Sequence, residues 1–260
     1  MVSAKAIKIA PIKRQHADAL VKQLHYSGKV VPNSQLHFGV FLNNKLEGVM
    51  QFGASMDKRR TKMLVEDTPW NGFIELNRMA FSDRLPKNSE SRAIAIAVKL
   101  IKKHYPHIQW IISFADATQC GDGAIYRASG FFLTSIKTNK QMLKWKGKVI
   151  AKKTLDNANY PKINGKYYSR YLIETGQAVP LPGYQLRYVY FIHPTAKQRL
   201  TVPIIPFSRI AEMGASMYRG KSVREKQANV GTTDTATVQH RSSRSNSLEN
   251  KANLKTKEVS

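Results

Sequence analysis

Cysteine occurs once in this chain of 260 residues, at Cys120. A single thiol excludes an internal disulfide framework and any zinc site made of cysteines alone, and it fits a reducing compartment. Chemically it is either a nucleophile or a small semi-buried residue. Long apolar runs are missing too. No stretch approaches the ~20 residues of a membrane-spanning helix, and Met1 to Ala10 lacks the apolar core of a signal peptide. The expectation is a cytoplasmic protein with no membrane partner. Acidic residues are the third scarcity. Asp and Glu total 17 against 42 Lys and Arg, a formal charge of +25. Such an imbalance repels itself unless a polyanion lies nearby, and nucleic acid is the leading candidate.

What is present reads as mixed α/β. A helix is expected from Pro11 through Leu24, ending at Ser27-Gly28 after the pair His25-Tyr26. His37 to Leu42 and Leu46 to Gly53 form a hairpin pattern around Asn43-Asn44-Lys45. Phe73 to Phe81 alternates as a strand, which puts Glu75 and Asn77 on one face and Leu76 and Arg78 on the other. Ile94, Ala97, Val98 and Ile101 give the clearest helix, which Pro106 ends. Trp110 to Ala115 is a nearly unbroken apolar run, as expected of a strand covered on both faces. A Gly-rich loop, a short helix through Tyr126 to Ser129 and a strand from Phe131 to Ile136 follow. Tyr167 to Ile173 and Leu186 to His193 read as further strands. The division expected is one domain over 1–218 and a disordered basic tail over 219–260.

Chemistry concentrates where strands meet helix starts. A helix opening directly after a strand presents unpaired N–H groups and a positive dipole end. Here that opening carries Asn88, Ser89, Ser91 and Arg92 with Lys87 beside them, a candidate phosphate cradle; an ordinary helix cap is the plain alternative. Asp116 ends the apolar strand and Tyr126 precedes Gly130-Phe131. That ending resembles the GNAT acyltransferases, although Ser89 and Ser91 stand where their glycine-rich loop would be.

Longer strings sharpen the resemblance. Glu75-Leu76-Asn77-Arg78, Leu85 to Ala93, Ser113-Phe114-Ala115-Asp116, Gln119 to Gly123 and Ile125 to Phe131 look like the Mom family of phage DNA-modification proteins, as do His25-Tyr26-Ser27 and His37-Phe38-Gly39. The resemblance covers about His25 to Ile136 and implies a GNAT-like central twisted sheet flanked by helices. It also implies a transferase that places a carbamoylmethyl group on the exocyclic N6 amine of adenine in phage DNA, within the host cytoplasm, and so protects that DNA from restriction. The partner would be double-stranded DNA with the adenine flipped out.

The implied catalytic positions are Asp116, Tyr126, Arg78, His25 and Tyr26, and the implied donor-binding positions are Asn88, Ser89, Ser91 and Arg92. Asp116 would orient or deprotonate the amine, and Arg78 would pair with Asp116 or bind the donor. The donor is either acetyl-CoA or an activated glycine such as glycyl-tRNA, which makes tRNA a second candidate partner. His25, Tyr26, His37 and Asp116 could together hold iron. A dimer is one option for the oligomeric state. Two other classes fit parts of the pattern. A GNAT acting on a small amine or protein leaves the charge unexplained, and a non-catalytic DNA-binding protein leaves the strand–loop–helix chemistry unused.

Three basic stretches mix cations with aromatics in the way of nucleic-acid surfaces: Lys58 to Lys62, Lys144 to Lys153 and Tyr167 to Tyr171. Solvated lysines over core aromatics are the alternative for each.

Overall fold

Asn43 and Asn44, both with positive φ (50° and 61°), close the hairpin between β2 (Ser34–Leu42) and β3 (Lys45–Gly53). Asparagine tolerates this left-handed backbone, and the resulting turn matches the right-handed twist of the strands. In the computed structural model, residues 3–218 and the short strand Lys221–Ser222 are described. The rest of the expected tail lies outside the described residues. The chain continues from β1 (Lys8–Pro11) through α1 (Arg14–Leu24), the hairpin, α2 (Lys58–Lys62), β4 (Phe73–Phe81), α3 (Ser89–His104), β5 (Trp110–Asp116), α4 (Ala124–Ala128) and β6 (Phe132–Thr138). Then come β7 (Met142–Trp145), β8 (Lys148–Ala151), α5 (Lys152–Leu155), α6 (Tyr168–Glu174), β9 (Ala178–Pro180), β10 (Tyr184–Phe191), α7 (Pro194–Gln198) and α8 (Ser208–Glu212).

The main sheet has the order β1-β2-β3-β4-β5-β10-β6, antiparallel throughout except for the parallel pair β4/β5. A parallel pair requires a crossover, and α3 supplies it. Ile94, Ala97, Val98 and Ile101 of α3 are buried against Phe38, Met50, Phe52, Leu76 and Ile111 on one face of the sheet. On the other face α1 packs Ala17 and Val21 onto Val49 and Ala80. Helices therefore flank a mixed central sheet, the architecture expected of an acyltransferase-type α/β fold.

β5 is covered on both faces over its first four residues, where Trp110, Ile111, Ile112 and Ser113 are all inaccessible. The expected cover does not extend to Phe114, which is 36% exposed beyond the end of the β4 pairing. Three further expectations change. Pro11 closes β1 instead of opening α1, which begins at Arg14. Tyr167 to Ile173 is helical, as α6, although its aromatic and β-branched composition suggests a strand. Tyr168, Tyr171 and Leu172 share one helical stripe against Leu143, Leu155 and Ala178, and the Asp156 carboxylate accepts from the Ser169 amide (3.1 Å) and hydroxyl (2.9 Å) in the first turn. Tertiary packing overrides propensity there.

The third change is in β4. Gln51 pairs with Arg78 and Phe52 with Leu76, so one extra residue, Asn77, is inserted in β4 opposite that step. This β-bulge resets the alternation and brings Arg78 to the face that carries Glu75, not the opposite face. Asn77 is buried and its Oδ1 accepts from the Ser34 hydroxyl (3.1 Å). Gly53 is required beside it, since a Cβ there would stand 2.7 Å from that same Oδ1.

Candidate active site

β4 and β5 pair only from Phe73↔Trp110 to Glu75↔Ile112. Beyond that point β4 stays with β3 and β5 stays with β10, up to Gln185↔Asp116, so the two parallel strands fork. Side chains from both sheet faces converge on this fork.

On the α1 side, His25 caps the helix and its ring lies against Tyr26, with centroids 4.2 Å apart. The His25 Nδ1 meets the Ser27 hydroxyl at 2.8 Å. Burial and then the neighbouring Arg78 guanidinium lower the His25 pKa to about 4, so its ring is neutral at physiological pH. Tyr26 shows 49% of its surface, yet its hydroxyl end is desolvated. That burial, with the Asp116 and Cys120 charges adding to it, holds the phenol well above its usual range. Arg78 donates from Nε to the Lys29 carbonyl (3.0 Å) and from Nη1 to the Asn77 carbonyl (2.8 Å). Its electrostatic neighbours are Tyr26, Glu75 and Tyr126.

The expected Arg78–Asp116 pair does not form. Asp116 instead accepts from the Thr118 amide (3.0 Å), the Gln119 side chain (2.9 Å) and the Asn139 side chain (3.0 Å). Three hydrogen bonds occupy both oxygens and fix the loop after β5.

Glu75, absent from the sequence-based site, is the carboxylate within electrostatic range of both Arg78 and Tyr126. Burial raises its pKa, opposed by hydrogen bonds from Ser55 and Asn77 and by the Arg78 charge. Its value as a proton acceptor follows from that balance: a carboxyl poised above its ordinary range. The signal for it lay in the bulge, which a single sequence does not display.

From the other face, Tyr126 on α4 packs its ring against Tyr188 (5.3 Å) and Phe131 (5.4 Å). Its hydroxyl end lies deep, and burial pushes the phenol up to about 12 against a favourable Ser113 contact. The loop that aims α4 is tightly held. Gly123 (φ 84°) lies so close under the Tyr188 ring that no Cβ fits, Tyr188 donates to the Asp122 carbonyl (2.5 Å), and Arg127 pairs with the Asp122 carboxylate (3.1 Å). Cys120 is exposed and lies within electrostatic range of both Tyr26 and Tyr126.

The start of α3 lies beside α4. Asn88, in the left-handed region (φ 69°), makes no side-chain cap bond, and the Ser91 hydroxyl donates to the Asn88 carbonyl (3.2 Å). A cavity of about 400 Å³ is lined there by Asn88, Ser91, Arg92, Ile96, Lys99 and Ser129, among others. A second of about 400 Å³ takes in Pro86, Lys87, Asn88, Ser91 and Ile125. Ser89 differs from its expected place. It is fully buried and its Oγ has no hydrogen-bond partner, so it packs beneath the helix start and does not line either cavity.

The iron set does not assemble. His37 lies beneath α1 facing Asp18 and Arg14, and no group of three or more His, Cys, Asp or Glu suited to a metal occurs among the described residues. His37 lies on β2, and β3 and β4 separate that strand from β5 and Asp116. No helix among the described residues is long and apolar enough to cross a membrane.

A probable acetyltransferase from Staphylococcus epidermidis superposes with a TM-score of 0.41 at 11% identity, covering 71% of this chain and 98% of its own. The ribosomal-protein-S18-alanine N-acetyltransferase from Escherichia coli gives 0.39 at 12% identity, covering 72% and 94%. The protein described as methylcarbamoylase mom, from Escherichia phage Mu, is 34% identical over 205 residues, which is 77% of this chain and 82% of that protein. The Mom protein family profile matches residues 6–209. With the fork, the helix start and the string of matched residues falling inside that span, this chain belongs to the Mom protein family.

Proposed function

We propose that this chain is a DNA-modifying transferase that acts on the exocyclic N6 amine of adenine, leaving a carbamoylmethyl group that shields phage DNA from restriction. The observation that carries this reading is the β4/β5 fork. There a carboxyl held above its usual range (Glu75), a cation (Arg78) and two neutral phenols (Tyr26, Tyr126) meet beside a basic cavity at a helix start. A net charge of +25 suits a polyanionic substrate.

The adenine amine is paired inside a duplex, so the base leaves the stack before reaction. The half-exposed Tyr26 ring, backed by His25, offers it a flat aromatic surface. Glu75 takes the amine proton as the new bond forms, Arg78 stabilises the developing negative oxygen, and the Tyr126 hydroxyl donates a proton to the leaving atom. Asp116 positions the loop. Asn88, Ser91, Arg92 and Lys99 hold donor phosphate at the start of α3, where the dipole and the cations add. Iron enters no step, since its ligands do not come together.

The donor is acetyl-CoA or an activated glycine, and atom balance favours the second. A carbamoylmethyl group joins N6 to a CH₂ carbon and carries a nitrogen that an acetyl group lacks. Glycyl transfer breaks the ester bond of the carrier, forms an N6–carbonyl bond and gives an isomer of the product. A rearrangement that breaks the N6–carbonyl and CH₂–NH₂ bonds and forms the N6–CH₂ and carbonyl–NH₂ bonds then completes it, with both carbons keeping their oxidation states and no further atoms needed. Purified protein incubated with duplex DNA and either labelled glycyl-tRNA or labelled acetyl-CoA decides. Label from glycine in the modified adenine is expected, and label from acetyl-CoA alone overturns the glycyl donor.

A further inference from the structure

β6 and β10 are antiparallel neighbours, paired from Phe132↔Val189 to Tyr184↔Thr138. Such neighbours are ordinarily joined by a hairpin loop of 2–5 residues. Here residues 139–183 intervene and fold into a lobe of their own. Its three-stranded sheet, β8-β7-β9, packs with α5 and α6 around Leu143, Leu155, Leu172 and Ala178.

Charge in the lobe is one-sided. It holds nine Lys and Arg against two acids, Asp156 and Glu174. Both acids are spent internally, Asp156 on Ser169 and Glu174 on Lys166 and Arg170. Lys140, Lys144, Lys146, Lys148, Lys152 and Lys153 have no carboxylate within 4 Å among the described residues, and five of the six are exposed. Six such cations on a 45-residue insert are costly to hold together without a polyanion.

The lobe's aromatics point to the kind of polyanion. Trp145, Tyr160, Tyr168 and Tyr171 pack on one another and on the apolar cluster, with Tyr160 and Tyr168 stacked at 5.1 Å. They are partly buried on that cluster, and Tyr167, 55% exposed with Lys162 over its ring, is the one exposed aromatic among the lobe's described residues. It is a single platform and not a row for the unpaired bases of a single strand. Exposed cations that far outnumber the exposed rings suit the backbone of a duplex.

The attachment of the lobe points to which duplex. Asn139 holds Asp116, the Gln119 side chain reaches Met142 (3.5 Å), and Lys29, whose carbonyl receives Arg78, donates to Thr154 on α5 (3.2 Å). All three links lead to the Tyr26 side of the fork, not to the cavity at α3.

We propose that the 139–183 lobe is the clamp for duplex DNA, its lysines gripping the phosphates that flank the adenine being modified. This rests on the reading of the chain as a DNA-modifying transferase. The test measures the salt dependence of binding to a duplex oligonucleotide for the full chain and for two triple variants. One is Lys144→Glu/Lys146→Glu/Lys148→Glu in the lobe. The other, Lys45→Glu/Lys102→Glu/Lys103→Glu, makes the same charge change elsewhere. Each phosphate contact contributes about 0.9 to the slope of log K against log salt. The lobe variant is expected to lose about 2–3 from that slope, the control less than 1, and Lys→Arg at the three lobe positions to restore it. Trp145 fluorescence and thermal melting verify that the lobe stays folded.

An unchanged slope in the folded lobe variant overturns the proposal. Intact duplex binding with loss of tRNA binding overturns it as well, and reassigns the lobe to the donor carrier. Nucleoside mass spectrometry on the same samples separates the two claims. A wild-type chain that leaves adenine unaltered sinks the modification reading, while a slope change confined to the lobe variant still upholds the clamp.

Discussion

The two sides of the β4/β5 fork are built on different physical terms. The Tyr26 side gathers ionisable groups and desolvates them: the His25 pKa falls to about 4, and Glu75 and Tyr26 rise. The α3 side instead exposes a helix start, small residues and the cations Arg92 and Lys99 around open cavities. Burial tunes proton affinity, whereas exposed charge captures a mobile anion without altering its chemistry. On the proposed function, the difference separates where a proton moves from where a donor is held.

Removing the base breaks this division most severely. Glu75→Gln is expected to lower kcat by about 10²–10⁴-fold while leaving duplex affinity within twofold. In the wild type, the acid limb of kcat/KM should lie above the ordinary carboxylate range, because burial raises Glu75, and activity should fall as pH drops through it. An acid limb that stays in place in the glutamine variant would remove Glu75 from the role. Tyr126→Phe comes next, with kcat reduced about tenfold to a hundredfold and donor KM little changed. On the other side of the fork the split reverses: Arg92→Ala with Lys99→Ala should raise donor KM about three- to tenfold with kcat nearly intact, as steady-state kinetics would show.

Much of this was legible in the sequence, and the gaps have identifiable causes. The α3 stripe, the double cover of β5 from Trp110 to Ser113 and the Asn-Asn hairpin follow from periodicity and turn chemistry, while Phe114 in the same apolar run is exposed where the strands fork. Strict alternation along β4 separates Glu75 from Arg78, and only the extra residue at Asn77 reunites them. A bulge depends on pairing with another strand, so a single strand's sequence does not announce it. Asp116 stood out by position at a strand end, yet its side-chain donors, beside the Thr118 amide, are Gln119 and Asn139, the latter 23 residues later. Ser89 belonged to a plausible cap pattern, and its burial depends on how α3 sits on the sheet. The lobe was obscured because its aromatic stretch at 167–171 favours strand by composition while packing makes it helix.

Two smaller effects sharpen the contrast. Asp116→Asn replaces an acceptor with an amide that faces the Gln119 and Asn139 donors, so a loss of about 1–3 kcal/mol in stability is expected by chemical denaturation, larger than any change in donor KM. For His25, the unfolded ring titrates near 6.5 and the folded one near 4, so the unfolded chain binds more protons between those values. Its contribution to stability is complete above pH 6.5 and is lost as the pH falls toward 4. His25→Gln should flatten the stability profile across that window alone.

Mass spectrometry of nucleosides from duplex DNA treated with the wild-type chain and with Glu75→Gln tests the central claim most directly. The account predicts a carbamoylmethyl-type adduct on the adenine amine with the wild type, and its near-complete loss in the variant despite undiminished DNA binding. Unaltered adenine with the wild type, or equal adduct yields from both proteins, would contradict it.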